Sequence, residues 1–572
     1  MSANWQNSIR TQRLTSRSWL CSLALGIISA ILTAIPVKAA ETIYFKYGPF
    51  LFSLPVDSLE TFAKEGTIDQ ELAFYLGQVS EEEQAQFREA LLQRADVNPV
   101  QIYRFFNTLM GEALLIRFGN LIQLQGGLNG FYGLRGALIL AAADPEGLSV
   151  LNFIRKFPTN IQLNTELIIQ TARRFDLLIE ATNIVVAEMA KLSAAEAATE
   201  PPIDFAALPD IRIPGPFGFE KETLTLVDES REFPAGTGQK RQLRVILYQP
   251  QQWRPGKAPV VVGSHGLASN PEHFKERAQH LASYGYVVAL IDHPGSNYQQ
   301  FQDMLAGYSS DFFAIDEFID RPLDVSYVLD ELERRNQSQF QGRLNLKEVG
   351  VMGHSLGGYT ALALAGAEIN FEKLEHDCQP TLETPNLSLI LQCLALELPR
   401  KEYNLQDDRV EAVLAINPVA SSIFGPQGLS QIRVPVILVA GSLDLATPAV
   451  YEQVRVFSWM KNSDRYLALV EGQAHVNFSQ LDAGTRELIE SLPNLQFTPP
   501  ELLGKYGNSG VLAFFEVYLA DNPEYRPYLQ SSYIRYISKD PFNLYLIDSS
   551  SADELERVIR NFRAREGLPE IY

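Results

Sequence analysis

Cysteine is scarce in this chain of 572 residues: Cys21, Cys378 and Cys393 are all there is. That excludes a disulfide-dense scaffold and a cysteine-built metal module. Basic side chains are also few, 48 Lys and Arg against 68 Asp and Glu, for a net charge of −20. A chain so acidic repels phosphate, which argues against nucleic acid as a partner and against strong attraction to an anionic membrane surface. Long apolar runs are missing beyond Trp19 to Ile35.

That one run follows a basic stretch, Arg10 to Arg17, and precedes Val37-Lys38-Ala39 and Ala40-Glu41. The pattern reads as a secretory signal, residues 1–39, removed on export to the periplasm or beyond. The alternative is an uncleaved anchor, since the run is near the lower length for a span. Cys21 lies ahead of most of the run, so a lipid-modified cysteine is not expected. In an exported chain, Cys378 and Cys393 are close enough in sequence to pair as a disulfide; two free buried thiols are the other reading. Neither has neighbours suited to metal binding or nucleophilic chemistry.

The length calls for two or more domains. Residues 40–192 read as a mostly helical N-terminal domain. Two short strands flank Gly48-Pro49, and Asp57 and Ser80 are candidate helix caps. Helical spacing covers Ser58 to Glu65, Ile68 to Leu76, Ser80 to Arg94, Pro99 to Phe118, Tyr132 to Ala143, Ser149 to Lys156 and Glu166 to Ala194. The domain carries no Cys/His cluster, phosphate loop or catalytic pattern. Residues 193–216, rich in Ala and Glu and then in Pro, read as a linker to a second domain at 217–572.

The second domain is organised around Gly353-His354-Ser355-Leu356-Gly357-Gly358. An apolar strand, Lys347 to Met352, precedes it, and Tyr359 to Ala365 reads as a helix. Strand, G-x-S-x-G and helix make a nucleophile elbow: a turn so tight that Gly353 and Gly357 must lack side chains, with the serine at a helix N-terminus that favours negative charge. The competing reading is a structural glycine-rich turn. An elbow implies an α/β-hydrolase fold, an α/β architecture of about eight mostly parallel strands. Strand patterns at 223–227, 241–248, 259–264, 286–291, 347–352, 410–416, 435–440 and 465–470, with helical stretches between, put the elbow on the fifth strand.

That fold needs an acid and then a histidine after the serine. Only His376 and His475 follow it; His475 stands just after the last of these strands, while His376 lies in a polar insertion, so His475 is the expected base. A surface histidine in a glycine turn is the alternative. Asp444, after strand 435–440, is the expected acid, able to hold the His475 tautomer; a helix-capping Asp is the alternative. The oxyanion hole should use the N–H of Leu356 and that of Leu267, in Ser264-His265-Gly266-Leu267. His265 reads as a structural hydrogen-bonder. Residues 366–408 are too long for an ordinary connection and are expected to form a lid, pinned by Cys378–Cys393.

Ser264-His265-Gly266-Leu267, the elbow, and Asp292-His293-Pro294-Gly295 together resemble the platelet-activating factor acetylhydrolase and dienelactone hydrolase-like branch of the superfamily. The whole chain, with Tyr44 to Phe52, is similar to exported cyanobacterial predicted hydrolases whose helical N-terminal domain has no assigned function. The resemblance implies a carboxylic ester substrate, short-acyl or lipid-like. It breaks at two places: dienelactone hydrolases use a cysteine nucleophile where this chain has Ser355, and the acetylhydrolases place their acid where this chain has Asn417. The expected chemistry is acyl transfer through Ser355, without metal or cofactor. A peptidase on the same scaffold and a non-catalytic exported binding protein are the alternatives. Membrane contact is expected only through substrate or an uncleaved signal.

Overall fold

The structure, a computed structural model, describes residues 39–379, 384–476 and 496–568. The expected signal, apart from residue 39, and residues 380–383 of the expected lid lie outside them. The chain divides into two compact units. One comprises residues up to Val97 together with Ile122–Asn164; the other comprises Asn98–Leu121 and everything from Thr165.

The first unit is helical with a small sheet. Thr42–Tyr47 pairs antiparallel with Phe50–Pro55 and parallel with Ile161–Asn164, which pairs antiparallel with Ile122–Leu124. Its helices are Val56–Glu65, Gln70–Leu76, Glu81–Leu92, Phe131–Ala143 and Val150–Lys156. Ser80 closes a reciprocal capping box with Glu83, and Gly66, at φ 78°, ends the first helix. Asp57 is not a cap; it lies inside the first turn of a helix that Pro55 precedes.

Two expected boundaries move. Residues 99–118 break into Pro99–Phe105 and Leu109–Leu121, because Thr108 takes a hydrogen bond from the Gly111 N–H at 3.1 Å and starts a new helix. Both helices group with the second unit. The helix Thr165–Thr199 runs without interruption through the start of the expected linker and also belongs to the second unit.

The second unit is built on nine strands: β1 (Phe219–Glu232), β2 (Lys240–Pro250), β3 (Ala258–Ser264), β4 (Val287–Asp292), β5 (Leu344–His354), β6 (Val410–Ile416), β7 (Val436–Gly441), β8 (Arg465–Val470) and β9 (Leu544–Asp548). Their order across the sheet is β9-β8-β7-β6-β5-β3-β4-β2-β1. Strands β3 to β8 pair parallel; β1–β2, β2–β4 and β8–β9 pair antiparallel. This is the α/β-hydrolase fold, with one edge strand more than the expected eight.

Side chains alternate across the sheet. Val260 and Val262 of β3 face one core with α3 (Glu317–Gln339), α4 (Leu356–Leu364) and α5 (Ser421–Leu429); Val261 faces another with α1 (Lys275–Ser283) and α6 (Pro500–Tyr518), and α2 (Tyr298–Ala306) stands between β4 and α3 in the chain. Burial on both faces is why the central strands read as continuous apolar runs. The described part of 366–408 is substantially built into the first core through Leu374, Leu391, Ala395 and Leu398. Among the described residues no helix is long and apolar enough to cross a membrane.

Candidate active site

β5 ends at His354, and Ser355 precedes α4 at φ 56°, ψ −118°. This backbone is rare for a residue with a Cβ. A Cβ on Gly353 would stand 1.9 Å from the Gly357 carbonyl oxygen. A Cβ on Gly357 would stand 1.9 Å from the carbonyl oxygen of Ser264. Both glycines are thus required, though for different reasons: one lets the turn close on itself, the other lets it press against the end of β3. The Ser355 N–H is held by Ile416 O at 2.9 Å, so the elbow is tied to the neighbouring strand as well.

The loops after β7 and β8 bring the other two expected residues to the serine. His475 Nε2 is 3.0 Å from Ser355 Oγ, and His475 Nδ1 is 2.7 Å from Asp444 Oδ2. Asp444 is buried, and its Oδ1 accepts the Thr447 N–H at 2.8 Å while Oδ2 accepts the Thr447 hydroxyl at 2.8 Å. It therefore closes the local turn and reaches the imidazole, while the helix that follows begins only at Val450. The loops brace each other through Leu443 N–H to Gln473 O at 2.9 Å. His376 sits apart, its side chain 70% exposed and its Nδ1 2.9 Å from Asp377.

His354, the residue just before the nucleophile, donates from Nε2 to the His475 carbonyl at 2.8 Å. Its ring stacks on His273 at 4.6 Å. Burial, then the neighbouring His273 and His475, hold its pKa well below the usual value, so it stays neutral. Nothing in the sequence marked it as the support of the His475 loop. Leu356 is the first residue of α4, where backbone N–H groups lack intrahelical acceptors. Gly266 lies against the serine: a Cβ on it would be 3.3 Å from Ser355 Cβ. Leu267 follows in the same loop, its side chain packed against the first core. Asn417 opens the loop after β6 at φ 43°, buried, with neither side-chain polar atom partnered among the described residues.

A second chain of the same residue types lies nearby. Ser264 Oγ is 3.0 Å from His293 Nε2, and His293 Nδ1 is 2.8 Å from Asp324 Oδ2. Sequence reading missed it, because Asp324 sits within α3 and shows no spacing signal with Ser264. All three side chains are 0% exposed, whereas the His475 side chain is 19% exposed. Arg241 clamps Asp324 by two bonds of 2.7 Å and reaches Glu317 at 2.8 Å. Burial, then Arg321, pushes the His293 pKa down to about 4. A contact of serine with histidine is the mark of a serine-hydrolase triad, but this one is sealed within an ion-pair network.

Cys378 and Cys393 are joined in a disulfide. Among the described residues no three His, Cys, Asp or Glu side chains converge as metal ligands. A cavity of about 730 Å³ lies on the α6 face of the sheet, floored by Met352, Leu414, Ile437 and Ala468, with His354 and His475 at its edge.

Two family models match the chain. Residues 39–164 match one described as "Alpha/beta hydrolase of unknown function (DUF1400)", which covers the helical N-terminal region rather than the sheet. Residues 256–374 match one described as "Serine aminopeptidase, S33", from β3 through the elbow helix. Both spans end before Asp444 and His475. No curated protein matches the chain. Sheet order, elbow and the second match together define an α/β-hydrolase domain.

Proposed function

We propose that the protein is a serine hydrolase of carboxylic esters. The observation that carries this is the continuous bonding from Asp444 through His475 to Ser355 Oγ, with Ser355 at a strained elbow. His475 takes the Ser355 proton as the hydroxyl oxygen attacks the ester carbonyl. Asp444 stabilises the imidazolium, and the N–H groups of Leu356 and Leu267 receive the developing oxyanion. His475 then protonates the leaving alcohol, and water releases the acyl group through the same histidine. No metal or cofactor enters this scheme.

The cavity beside His475 has an apolar floor and a volume in the range of ligand pockets, room for a lipid-like or acyl group, although Ser355 is not among its lining residues. The resemblance to platelet-activating factor acetylhydrolases is consistent with that class. The disulfide Cys378–Cys393 supports an exported setting, periplasmic or extracellular, as the N-terminal pattern does. A second reading, a serine aminopeptidase, is favoured by the match over 256–374.

Hydrolysis of nitrophenyl esters from acetate to palmitate, set beside aminoacyl nitroanilides, tests both. Ester turnover lost in Ser355→Ala is expected, with the optimum chain length giving the acyl class. Turnover of nitroanilides alone would favour the peptidase. A folded protein inactive on both series would leave a non-catalytic binding protein as the better account.

A further inference from the structure

Arg321, with Arg241, is among the largest fully buried side chains of the molecule. The two are held differently. Arg241 has carboxylates on its fork, and its pKa is raised. Arg321 has Glu317 only at 3.5 Å, and burial pulls its pKa down to about 10. Its donors go instead to the loop after β3 and to Ser296 in the loop after β4. Nη1 donates to the His265 carbonyl at 2.5 Å, Nη2 to the Gly266 carbonyl at 3.4 Å, and Nε to Ser296 Oγ at 2.9 Å. Ser296 in turn accepts the Ala268 N–H on its backbone oxygen at 2.8 Å, and Ala268 stands at φ 53°. Arg321 thus ties both ends of Gly266-Leu267-Ala268.

His265 adds a second hold on the same carbonyl. The His293 N–H donates to His265 Nε2 at 3.2 Å, so Nε2 is bare and the proton is on Nδ1. That Nδ1–H donates to Gly266 O at 2.7 Å. Gly266 O therefore receives two donors from the buried side. In a trans peptide the following N–H points opposite to the carbonyl. The Leu267 N–H is then turned away from Arg321, in a loop whose Gly266 lies against Ser355 and where it has no acceptor among the described residues.

We propose that Arg321 is a positioning residue that, by holding the His265 and Gly266 carbonyls, aims the Leu267 N–H and so builds one half of the oxyanion hole. The inference rests on the serine-hydrolase reading. It gives the first two turns of α3 a task in the reaction without contact to substrate.

The test uses the full chain with a nitrophenyl ester, active-site titration by a fluorophosphonate, and a boronic acid whose adduct places an oxygen in the hole. Arg321→Lys keeps the charge and loses the fork. It is expected to lower kcat per titrated serine by about 10- to 100-fold, KM changing little, with the boronate Ki rising in the same ratio. His265→Asn, which can donate from the Nδ1 position, should retain most of the turnover that His265→Leu loses. A purely structural role would lower the number of titratable sites and leave kcat per site unchanged. Turnover per site within about twofold of the parent in Arg321→Lys and in His265→Leu, or a fall in kcat with an unaltered boronate Ki, overturns the proposal. If Arg321→Lys does not fold, Arg321→Gln is measured by the same readouts and decides in its place. A parent protein without turnover or labelling sinks the serine-hydrolase reading itself, and the proposal with it; an active parent with indifferent variants sinks the proposal alone.

Discussion

Replacing Ser355 by glycine should stabilise the protein relative to replacing it by alanine. Both changes remove the Ser355 Oγ–His475 bond of 3.0 Å, so that loss cancels in the comparison. What differs is the Cβ at φ 56°, ψ −118°. Backbone held in such a region costs about 1–3 kcal/mol, and glycine relieves it. Against that, glycine adds unfolded-chain entropy worth about 0.5–1 kcal/mol. The middle of each range puts Ser355→Gly ahead of Ser355→Ala by about 1 kcal/mol. Urea unfolding followed by tryptophan fluorescence reads the right part of the molecule, since Trp253 and Trp459, the tryptophans among the described residues, lie in the hydrolase unit. An alanine variant as stable as the glycine variant, or more so, would refute the view that the elbow stores strain at the nucleophile.

Asp444→Asn should lower kcat by about 10³- to 10⁴-fold with KM little changed, because an amide no longer fixes the His475 tautomer; steady-state ester kinetics check it. Stability should fall as pH drops from 6.5 towards 4. His293 and His280, both pushed down to about 4 by burial, stay neutral in the folded state while the unfolded chain takes up protons, at about 3 kcal/mol each by the acid end. Asp320, raised to about 6 by burial, works the other way between pH 3.8 and 6, so Asp320→Asn should steepen the decline of the urea midpoint. Cys378→Ser should cost about 3 kcal/mol, from the entropy released when a closed segment of 15 residues is opened, measured as a lowered urea midpoint. Gly357→Ala should yield little folded protein, since its Cβ would meet backbone at 1.9 Å; thermal unfolding of the purified variant is the measurement.

The elbow was legible because its constraint is local: backbone crowding dictates glycine at two fixed offsets, and that dictate is written in five consecutive residues. The central strands were legible because burial on both faces leaves unbroken apolar runs. What packs Gly357, the Ser264 carbonyl, is a contact across some 90 residues that no spacing records. β9 escaped notice because five residues, Leu544–Asp548, look like any part of an aromatic tail until β8 offers an edge. Residues 366–408 were expected as a lid because they are long; length alone does not say that Leu391 and Ala395 go into the core. The buried Ser264–His293–Asp324 chain and Arg321 were invisible for the same reason: α3 supplies their partners from a distance. Chain order pointed to His475 and Asp444, whereas their mutual bracing by Thr447, His354 and Gln473 is tertiary.

The choice between the two serine–histidine–aspartate chains is the centre of the account, and labelling decides it. The parent protein, Ser355→Ala and Ser264→Ala are each treated with a fluorophosphonate, and the adduct is located by intact mass and peptide mapping. The account predicts one adduct, on Ser355, kept in Ser264→Ala and absent in Ser355→Ala. An adduct on Ser264, or one that survives Ser355→Ala, would contradict it.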